Sequence, residues 1–431
     1  MGYGIFRLGM GRRTATLFTV LLMTSPVHLQ QLPQLRDYSK VPFFFLIILV
    51  MGLLLKCPLP LRVQLPLAAL AGFVGGLGLG FRQDIAFAAA VFCLLVACFS
   101  PGHIKKTWWR RALVLVVFVV SFAALGLPIV RVLSGVNNST HDTIIGFTSY
   151  CDQRLGVEAP LYDFGDPFLD EYVRAILMGH AYRTAGHTEV FHHYSAPYDA
   201  AGKAYFREMV ATFPADMIIR GYASVLRIVD ELQVSSANGA PRGISNQFVA
   251  RLYQWRQAAL DLIPGGGRYY VAAMLLVLGA ANPRLGLAAF VAIMILAGYP
   301  ALRFSERHAF HMEIVSLFAL GFLLHGLFRA GVIAWRQRRS FAWGSLFQEG
   351  KGWVLRGAAV GLAIAVLLLL PLGLARLLQG RQVPSLLSAY ASAERELVRT
   401  ETSPTDTGKI FIRLPAFSEF DERSPQLPMY T

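Results

Sequence analysis

The stretch ALVLVVFVVSFAALGLPIVRVL, residues Ala112–Leu133, contains a single charged residue, Arg131, which lies close to its end. A helix needs roughly 20 mostly apolar residues to cross a lipid bilayer, and this stretch is long enough. Similar apolar runs recur along the chain at Val41–Cys57, Val63–Phe81, Ile85–Ser100, Tyr269–Ala281, Leu285–Leu302, Phe310–Trp335 and Trp353–Leu378. Together they predict an integral membrane protein with a helical membrane region, because lipid cannot satisfy the polar backbone groups of irregular segments.

The composition agrees with a membrane protein and excludes other classes. Of the 431 residues, 55% are hydrophobic and 15% are charged, whereas ordinary globular chains carry about 25% charged residues. The mean hydropathy is +0.48, which excludes a disordered chain. A net charge of +14 would suit a nucleic-acid partner, but the basic residues stand between the apolar runs, so we expect none. Four cysteines are too few for a disulfide scaffold.

A weaker apolar run, Thr14–Val27, could be a short first span or the hydrophobic core of a signal peptide. Its end makes a poor cleavage site, which favours a retained span. The predicted fold class is therefore an all-α integral membrane protein with about nine transmembrane helices and a helical insert on the outer face.

The distribution of lysine and arginine predicts the orientation, because these residues accumulate in cytoplasmic loops. Two loops are strongly basic, one around Lys105–Arg111 and one around Arg336–Lys351. If the chain crosses the membrane nine times, both basic loops lie on the same side. This agreement supports the number of spans, because one missed span would place the two loops on opposite sides. The predicted location is the bacterial inner membrane, with the insert and the C-terminus on the periplasmic side.

This threading divides the chain into four parts. They are an N-terminal membrane region at 1–134, a helical insert at 135–267, a C-terminal membrane region at 268–379 and an outer-face tail at 380–431. The insert has the composition of a soluble domain. Its proline and glycine residues separate four predicted helices, at 166–185, 199–212, 215–232 and 246–262. For the tail, the sequence predicts a helix at 384–399, a linker at 402–407 and a strand at 409–414. That strand would need a sheet elsewhere or a partner.

Charged groups gather at the predicted outer ends of the spans. Outside the insert and the tail there are only five acidic residues, and four of them map to this face: Asp37, Asp84, Glu306 and Glu313. The basic residues beside them are Arg36, Lys40, Arg82, Arg303, Arg307, His308 and His311. Ionisable groups near membrane depth are costly and commonly functional, although basic side chains at span ends also snorkel without a further role. For the whole set on one face, a function is the favoured interpretation.

The segment from Arg303 to Glu313 is predicted to open a helix. Glu306 and Glu313 are seven residues apart and would share one face of it. Such a cluster could bind an anionic headgroup and leave a carboxylate to act as a base. The insert also contains His187, His192 and His193, but their spacing fits no compact zinc pattern. We therefore predict no metal site, and a divalent cation is the one cofactor that stays open.

The run Arg36–Phe43, the span after it, and the glycine-rich span that ends in Gly78–Asp84 together resemble GT-C glycosyltransferases, which are polytopic enzymes related to the protein mannosyltransferases and the aminoarabinose transferase. The resemblance covers residues 14–134 and, more loosely, 268–378. It implies a polyprenyl-phosphate-linked sugar as donor, membrane lipids around the protein, and an acceptor on the outer side.

The resemblance also implies roles for the outer charges. Basic residues would hold the donor phosphate, and the candidates are Lys40, Arg82, Arg303, Arg307 and His308. An acidic residue would deprotonate the acceptor hydroxyl in an inverting displacement, and the candidates are Asp37, Asp84 and Glu306. The family carries its main acidic motif in the first outer loop, where this chain has Asp37 alone. We therefore expect the family's N-terminal spans and their acidic loop to be absent here, either because they belong to another polypeptide or because the chain is a scaffold without transferase activity. The alternatives are therefore a non-catalytic membrane subunit or scaffold that docks on a partner membrane subunit, and a transporter or channel.

Overall fold

A computed structural model describes residues 1–134, 139–158, 170–185, 195–230, 232, 247–263, 266–337, 343–392, 401–404 and 410–413. These residues are almost entirely helical. The helices of the first half are α1 Gly2–Gly9, α2 Arg12–Met23, α3 Pro26–Gln31, α4 Leu35–Tyr38, α5 Lys40–Lys56, α6 Leu61–Leu79, α7 Ile85–Phe99, α8 Ile104–Ser134, α9 Ser139–Ile145 and α10 Ser149–Leu155.

The helices of the second half are α11 Asp170–Ala185, α12 Ala196–Thr212, α13 Pro214–Asp230, α14 Gln247–Asp261, α15 Gly267–Ala281, α16 Pro283–Gly298, α17 Glu306–Ala309, α18 Glu313–Gln337 and α19 Trp343–Ser392. Two 3-10 turns, Tyr299–Arg303 and Phe310–Met312, lie between α16 and α18. The strands β1 Glu401–Pro404 and β2 Ile410–Arg413 pair antiparallel.

Every clear apolar run of the sequence forms a helix, as the prediction of a helical membrane protein requires. Five helical segments are long and apolar enough to cross a membrane: Leu61–Leu79, Ile104–Val132, Pro283–Arg303, Arg307–Arg336 and Gly350–Ala389. The other predicted spans are shorter, with 17 residues in α5, 15 in α7 and 15 in α15. The weak first run forms α2, which has 12 residues and ends at Met23.

The glycine-rich helix α6 lies directly against α8. A Cβ atom on Gly72 would collide with the carbonyl oxygen of Phe118, and one on Gly76 with the carbonyl oxygen of Phe122. Small residues allow membrane helices to approach to backbone contact. This contact fixes the C-terminal end of α6. The turn from Arg82 to Asp84, which is part of the candidate site, follows that end.

Consecutive helices alternate in direction. Arg284, at the start of α16, donates to the carbonyl oxygens of Leu55 at 3.1 Å and Phe99 at 3.0 Å. The C-terminal ends of α5 and α7 and the N-terminal end of α16 therefore lie on one side. The beginnings of α5 and α7 lie on the other side, which is the side of the insert.

The insert contains the predicted helices, as α11 to α14, although residues 166–169, the start of the first predicted helix, lie outside the described residues. Helices α9, α11 and α12 share a small core of their own. Helix α13 instead places Val225, Ile228 and Val229 in the main core, and Ser224 Oγ donates to the carbonyl oxygen of Ala297 at 2.7 Å. Helix α13 therefore belongs to the insert in the sequence and packs with the apolar helices in the structure.

The predicted helix and strand of the tail are both present, in different surroundings from those expected. Helix α19 runs for 50 residues through Pro371 and Pro384, so the predicted helix at 384–399 is confirmed as far as Ser392, where it is the last part of α19, and residues 393–399 lie outside the described residues. The extension of α19 supports the insert: the Ala215 N–H donates to Gln379 Oε1 at 3.0 Å. The predicted strand is present as β2, but it pairs with β1 inside the predicted linker rather than with a distant sheet.

Candidate functional site

The candidate site lies at the ends of the apolar helices on the side of the insert, which the predicted orientation makes the outer side. Asp37 stands in the short helix α4, and Lys40 is the first residue of α5. Arg82 and Asp84 form the turn between α6 and α7. Because the helices alternate in direction, these turns meet the segment between α16 and α18, which carries Arg303 and His308.

Two carboxylates and two cations form one ion-pair network. Asp84 Oδ2 lies 3.0 Å from Lys40 Nζ and 3.3 Å from Arg82 Nη2, and Asp37 Oδ1 lies 2.9 Å from Arg82 Nη1. Lys40 is fully buried and also donates to the carbonyl oxygen of His308 at 2.5 Å. The network therefore fixes two turns, α4–α5 and α6–α7, and the segment after α16 relative to one another.

The electrostatic surroundings of Asp84 keep it ionised. Burial by itself would raise the pKa of its carboxyl group, but the charges of Lys40 and Arg82 outweigh burial and hold the pKa below the ordinary value. A carboxylate held by two cations is a weak proton acceptor. Among the described residues, Asp37 contacts one cation, Arg82, through a single oxygen.

A cavity of about 580 Å³ opens beside this network. Six of the eight predicted site residues line it: Asp37, Arg82, Asp84, Arg303, Arg307 and His308. Its walls include Phe87 and Tyr299, whose rings stack with centroids 4.6 Å apart. The Tyr299 hydroxyl is buried and has no hydrogen-bond partner among the described residues. The structure thus gathers the outer charges around one concave surface.

The two cavity arginines after α16 differ in their pairing. Arg303 Nη1 pairs with Asp142 of α9, which belongs to the insert. Arg307 is exposed and has no ion-pair partner in the part of the chain that the structure describes. The insert therefore closes one side of the cavity, and Arg307 offers an uncompensated cation on its rim.

Two predicted site residues do not line the cavity. Lys40 lies beneath it and acts on it through Asp84. Glu306 begins α17, but its side chain lies outside the described residues. The expectation of one continuous helix from Arg303 to Glu313 is wrong. One physical reason is that Lys40 takes the carbonyl oxygen of His308, which a regular helix would use for itself.

Glu313 belongs to a separate buried cluster. Its Oε2 accepts from Ser25 Oγ at 2.5 Å, and its Oε1 lies 2.6 Å from Arg256 Nη2 of α14. His311 is also fully buried, and neither of its ring nitrogens has a hydrogen-bond partner among the described residues. These two residues therefore anchor the start of α18 rather than face the cavity.

Several cavity residues were not predicted from the sequence. They are Gln34, Leu79, Gly80, Phe81, Gln83, Phe87, Asp142, Thr143, Tyr299, Pro300 and Leu302. Most of them are close in sequence to predicted site residues, so the sequence could have identified them as neighbours of the site. Asp142 and Thr143 come from the insert, and no sequence signal connects them to Arg303.

The described residues contain no group of three histidine, cysteine, aspartate or glutamate side chains placed to hold a metal ion. His187, His192 and His193 lie outside the described residues. Comparison of the chain with protein-family models, with curated proteins and with solved structures finds no match. The interpretation of the site therefore rests on the cavity and its side chains.

Proposed function

We propose that the protein is a membrane glycosyltransferase of the GT-C type. It would transfer a sugar from a polyprenyl-phosphate donor to an acceptor on the periplasmic side of a bacterial inner membrane. The observation that carries the proposal is the outer cavity, which three arginines and three carboxylates line together. Two of the arginines are ion-paired, and Arg307 has no ion-pair partner among the described residues. Pockets of this kind, with a few convergent polar groups, are the usual location of a ligand site.

The proposed topology has nine membrane helices: α2, α5, α6, α7, α8, α15, α16, α18 and α19. The alternating helix directions support it, and so does the basic character of the opposite side. The short helices α5, α7 and α15 would cross because they are surrounded by longer ones, and bilayers thin locally around short spans. The insert and the tail would lie on the outer side.

Arg307 and Arg303 are the proposed phosphate contacts. Arg82 and His308, which line the same cavity, are the further candidates. Arginine binds phosphate through paired charge-assisted hydrogen bonds. Arg307 is the strongest candidate because the described residues include no carboxylate that competes for it. Arg303 would have to share its guanidinium with Asp142.

Asp37 is the better of the two described base candidates. The acceptor hydroxyl oxygen would attack the anomeric carbon, its proton would pass to the carboxylate, and the bond from that carbon to the phosphate oxygen would break. The polyprenyl phosphate would leave with the bonding electron pair. Asp84 suits this role less, because two cations hold one of its oxygens. Glu306 stays a candidate base because of its position in the sequence, since its side chain lies outside the described residues.

A transfer assay tests the reaction. The full chain would be reconstituted in liposomes with polyprenyl-phosphate-linked mannose, glucose or aminoarabinose, and loss of the lipid-linked sugar would be followed. We expect Asp37→Asn to lower turnover by about 100-fold or more, as loss of a general base does. The matched control, Asp216→Asn in the insert, should leave turnover unchanged. Normal turnover of the Asp37→Asn variant would remove Asp37 from the mechanism.

A binding assay tests the phosphate site separately. The probe is radiolabelled polyprenyl phosphate without a sugar, retained on the reconstituted protein. Arg307→Ala should weaken retention by about tenfold, the effect of losing one charge-assisted contact of roughly 1.4 kcal/mol. Arg207→Ala removes an exposed arginine from the insert and is the control. If both variants retain the lipid equally, the cavity is not the phosphate site.

One observation favours a non-catalytic membrane subunit as the second candidate. Lys40, Arg82, Asp37 and Asp84 compensate one another's charges, as they would in a purely structural network. Helix α19 also exposes large apolar side chains along its length, including Leu362 and Leu369, which could contact a partner membrane subunit. Stable copurification with one partner, together with normal catalysis by the partner when Asp37→Asn is present, would favour this alternative.

A further inference from the structure

Helix α14 differs from the other insert helices because it exposes an apolar face. Trp255 is 75% exposed and Leu262, just after the helix, is 85% exposed. At 100° per residue, these two positions and Ala259 fall within a sector about 60° wide. Gln254, Gln257 and Asp261 occupy a different, polar sector. The helix is therefore amphipathic, with an apolar side turned away from the body of the protein.

The remaining sector of α14 attaches the helix to the membrane region. Arg256 is buried; its Nε donates to the carbonyl oxygen of Leu21 at 3.0 Å and its Nη2 to Glu313 Oε1 at 2.6 Å. Leu21 lies near the end of α2, and Glu313 begins α18. Both positions are at the outer ends of their helices. The contacts therefore hold α14 at the level where these membrane helices leave the bilayer.

The exposed face of α14 has exposed apolar neighbours on the elements to which it is joined. Helix α2 exposes Leu17, Val20 and Met23. Tyr269, at the start of α15, is also exposed. On membrane helices such surfaces contact lipid. The location of α14 beside them identifies the outer leaflet as the surface that its own apolar face meets.

We propose that α14 is a membrane-surface helix that inserts Trp255 and Leu262 into the outer leaflet. Tryptophan suits this depth because its ring is apolar and its N–H is polar, and amphipathic helices bind membranes by burying one such face. The ion pair of Arg256 with Glu313 fixes the rotation of the helix, so that the polar sector faces water. The inference rests on the proposed membrane topology and not on sugar transfer.

The test uses the full chain in liposomes of phosphatidylcholine with brominated acyl chains, because bromine quenches tryptophan fluorescence at close contact. The emission lost in Trp255→Phe, relative to the wild type, is the contribution of Trp255. The matched control places a tryptophan on the polar sector by combining Trp255→Phe with Gln254→Trp. Elution profile and helical circular dichroism should be the same for all three proteins.

We expect brominated lipid to quench the emission of Trp255 several-fold more strongly than that of the control tryptophan. Equal quenching at the two positions would overturn the proposal. So would quenching of Trp255 that disappears as the protein density in the liposomes rises, because a second copy of the chain would then cover the face. Both outcomes are independent of transferase activity.

Discussion

The basic side chains at the two ends of the membrane helices have different kinds of partner. At the inner end, Arg111 and Arg284 donate to backbone carbonyl oxygens, and neither has a carboxylate partner among the described residues. At the outer end, Lys40 and Arg82 both pair with Asp84. Lys40 also donates to the carbonyl oxygen of His308, so basic side chains stabilise backbone on both faces and, among the described residues, add an ion-pair network on the outer one.

Helix polarity explains the difference. The inner ends of α5 and α7 are C-termini, where unpaired carbonyl groups carry partial negative charge and attract cations. The outer ends of the same helices are N-termini, where a cation is unfavourable. Lys40 nevertheless occupies the first residue of α5, and it is accommodated by Asp84, at the N-cap position of α7. A cation beside the partial positive charge of a helix N-terminus is unfavourable for stability. The adjacent cavity offers a functional explanation for its presence.

The largest expected effect comes from removing the buried outer cation. Lys40→Met leaves Asp84 and Asp37 with Arg82 alone, so we expect the free energy of unfolding to fall by about 3 kcal/mol, the low end for breaking a buried pair. The control is Lys56→Met, which removes an exposed lysine at the inner end of the same helix. Thermal unfolding in detergent, followed by circular dichroism, measures both. Equal losses would show that the two ends do not differ in this respect.

A smaller effect is expected from the inner arginine that binds carbonyl groups. Arg111 donates to the carbonyl oxygens of Ala97 at 2.7 Å and Ser100 at 2.6 Å. Arg111→Ala should lower the free energy of unfolding by about 2 kcal/mol, while retention of polyprenyl phosphate stays unchanged. The adjacent Arg110→Ala is the control, because Arg110 is exposed. Loss of lipid binding in Arg111→Ala would contradict a purely structural role for the inner face.

The sequence predicts the helices well because long apolar runs have few alternatives in a membrane. It also predicts the outer cluster, since alternating spans bring the turns that carry Asp37, Asp84 and Arg303 to one face. These predictions depend on local composition and on counting, which are visible along the chain.

The parts that the sequence does not predict depend on contacts between distant residues. The break before Glu313 involves Lys40, a residue far away in sequence that binds the carbonyl group of His308. The contribution of Asp142 depends on how the insert packs, and Gly146 allows this packing because a Cβ atom there would collide with the carbonyl oxygen of Leu302. Neither residue type nor periodicity indicates such contacts.

The smallest expected effect is the pH dependence of the outer network. The pKa of Asp84 is lower in the folded protein than its ordinary value, so its ion pairs stabilise the fold above about pH 4 and lose that contribution as the pH falls further. Asp84→Asn should therefore cost about 1 kcal/mol at pH 7 and progressively less toward pH 3. Unfolding in detergent at both pH values measures the difference between the variant and the wild type.

Two controls connect this pH dependence to the contrast between the faces. Asp261→Asn removes an exposed carboxylate that contacts Gln257 and no cation among the described residues, so it is the variant with which the pH dependence of Asp84→Asn is compared. The cost of Arg111→Ala should also be constant between pH 7 and pH 3, because carbonyl groups do not titrate. If the cost of Asp84→Asn is equally constant, the carboxylate contributes through packing and not through its charge. The outer network would then differ from the inner one only in the identity of its acceptors.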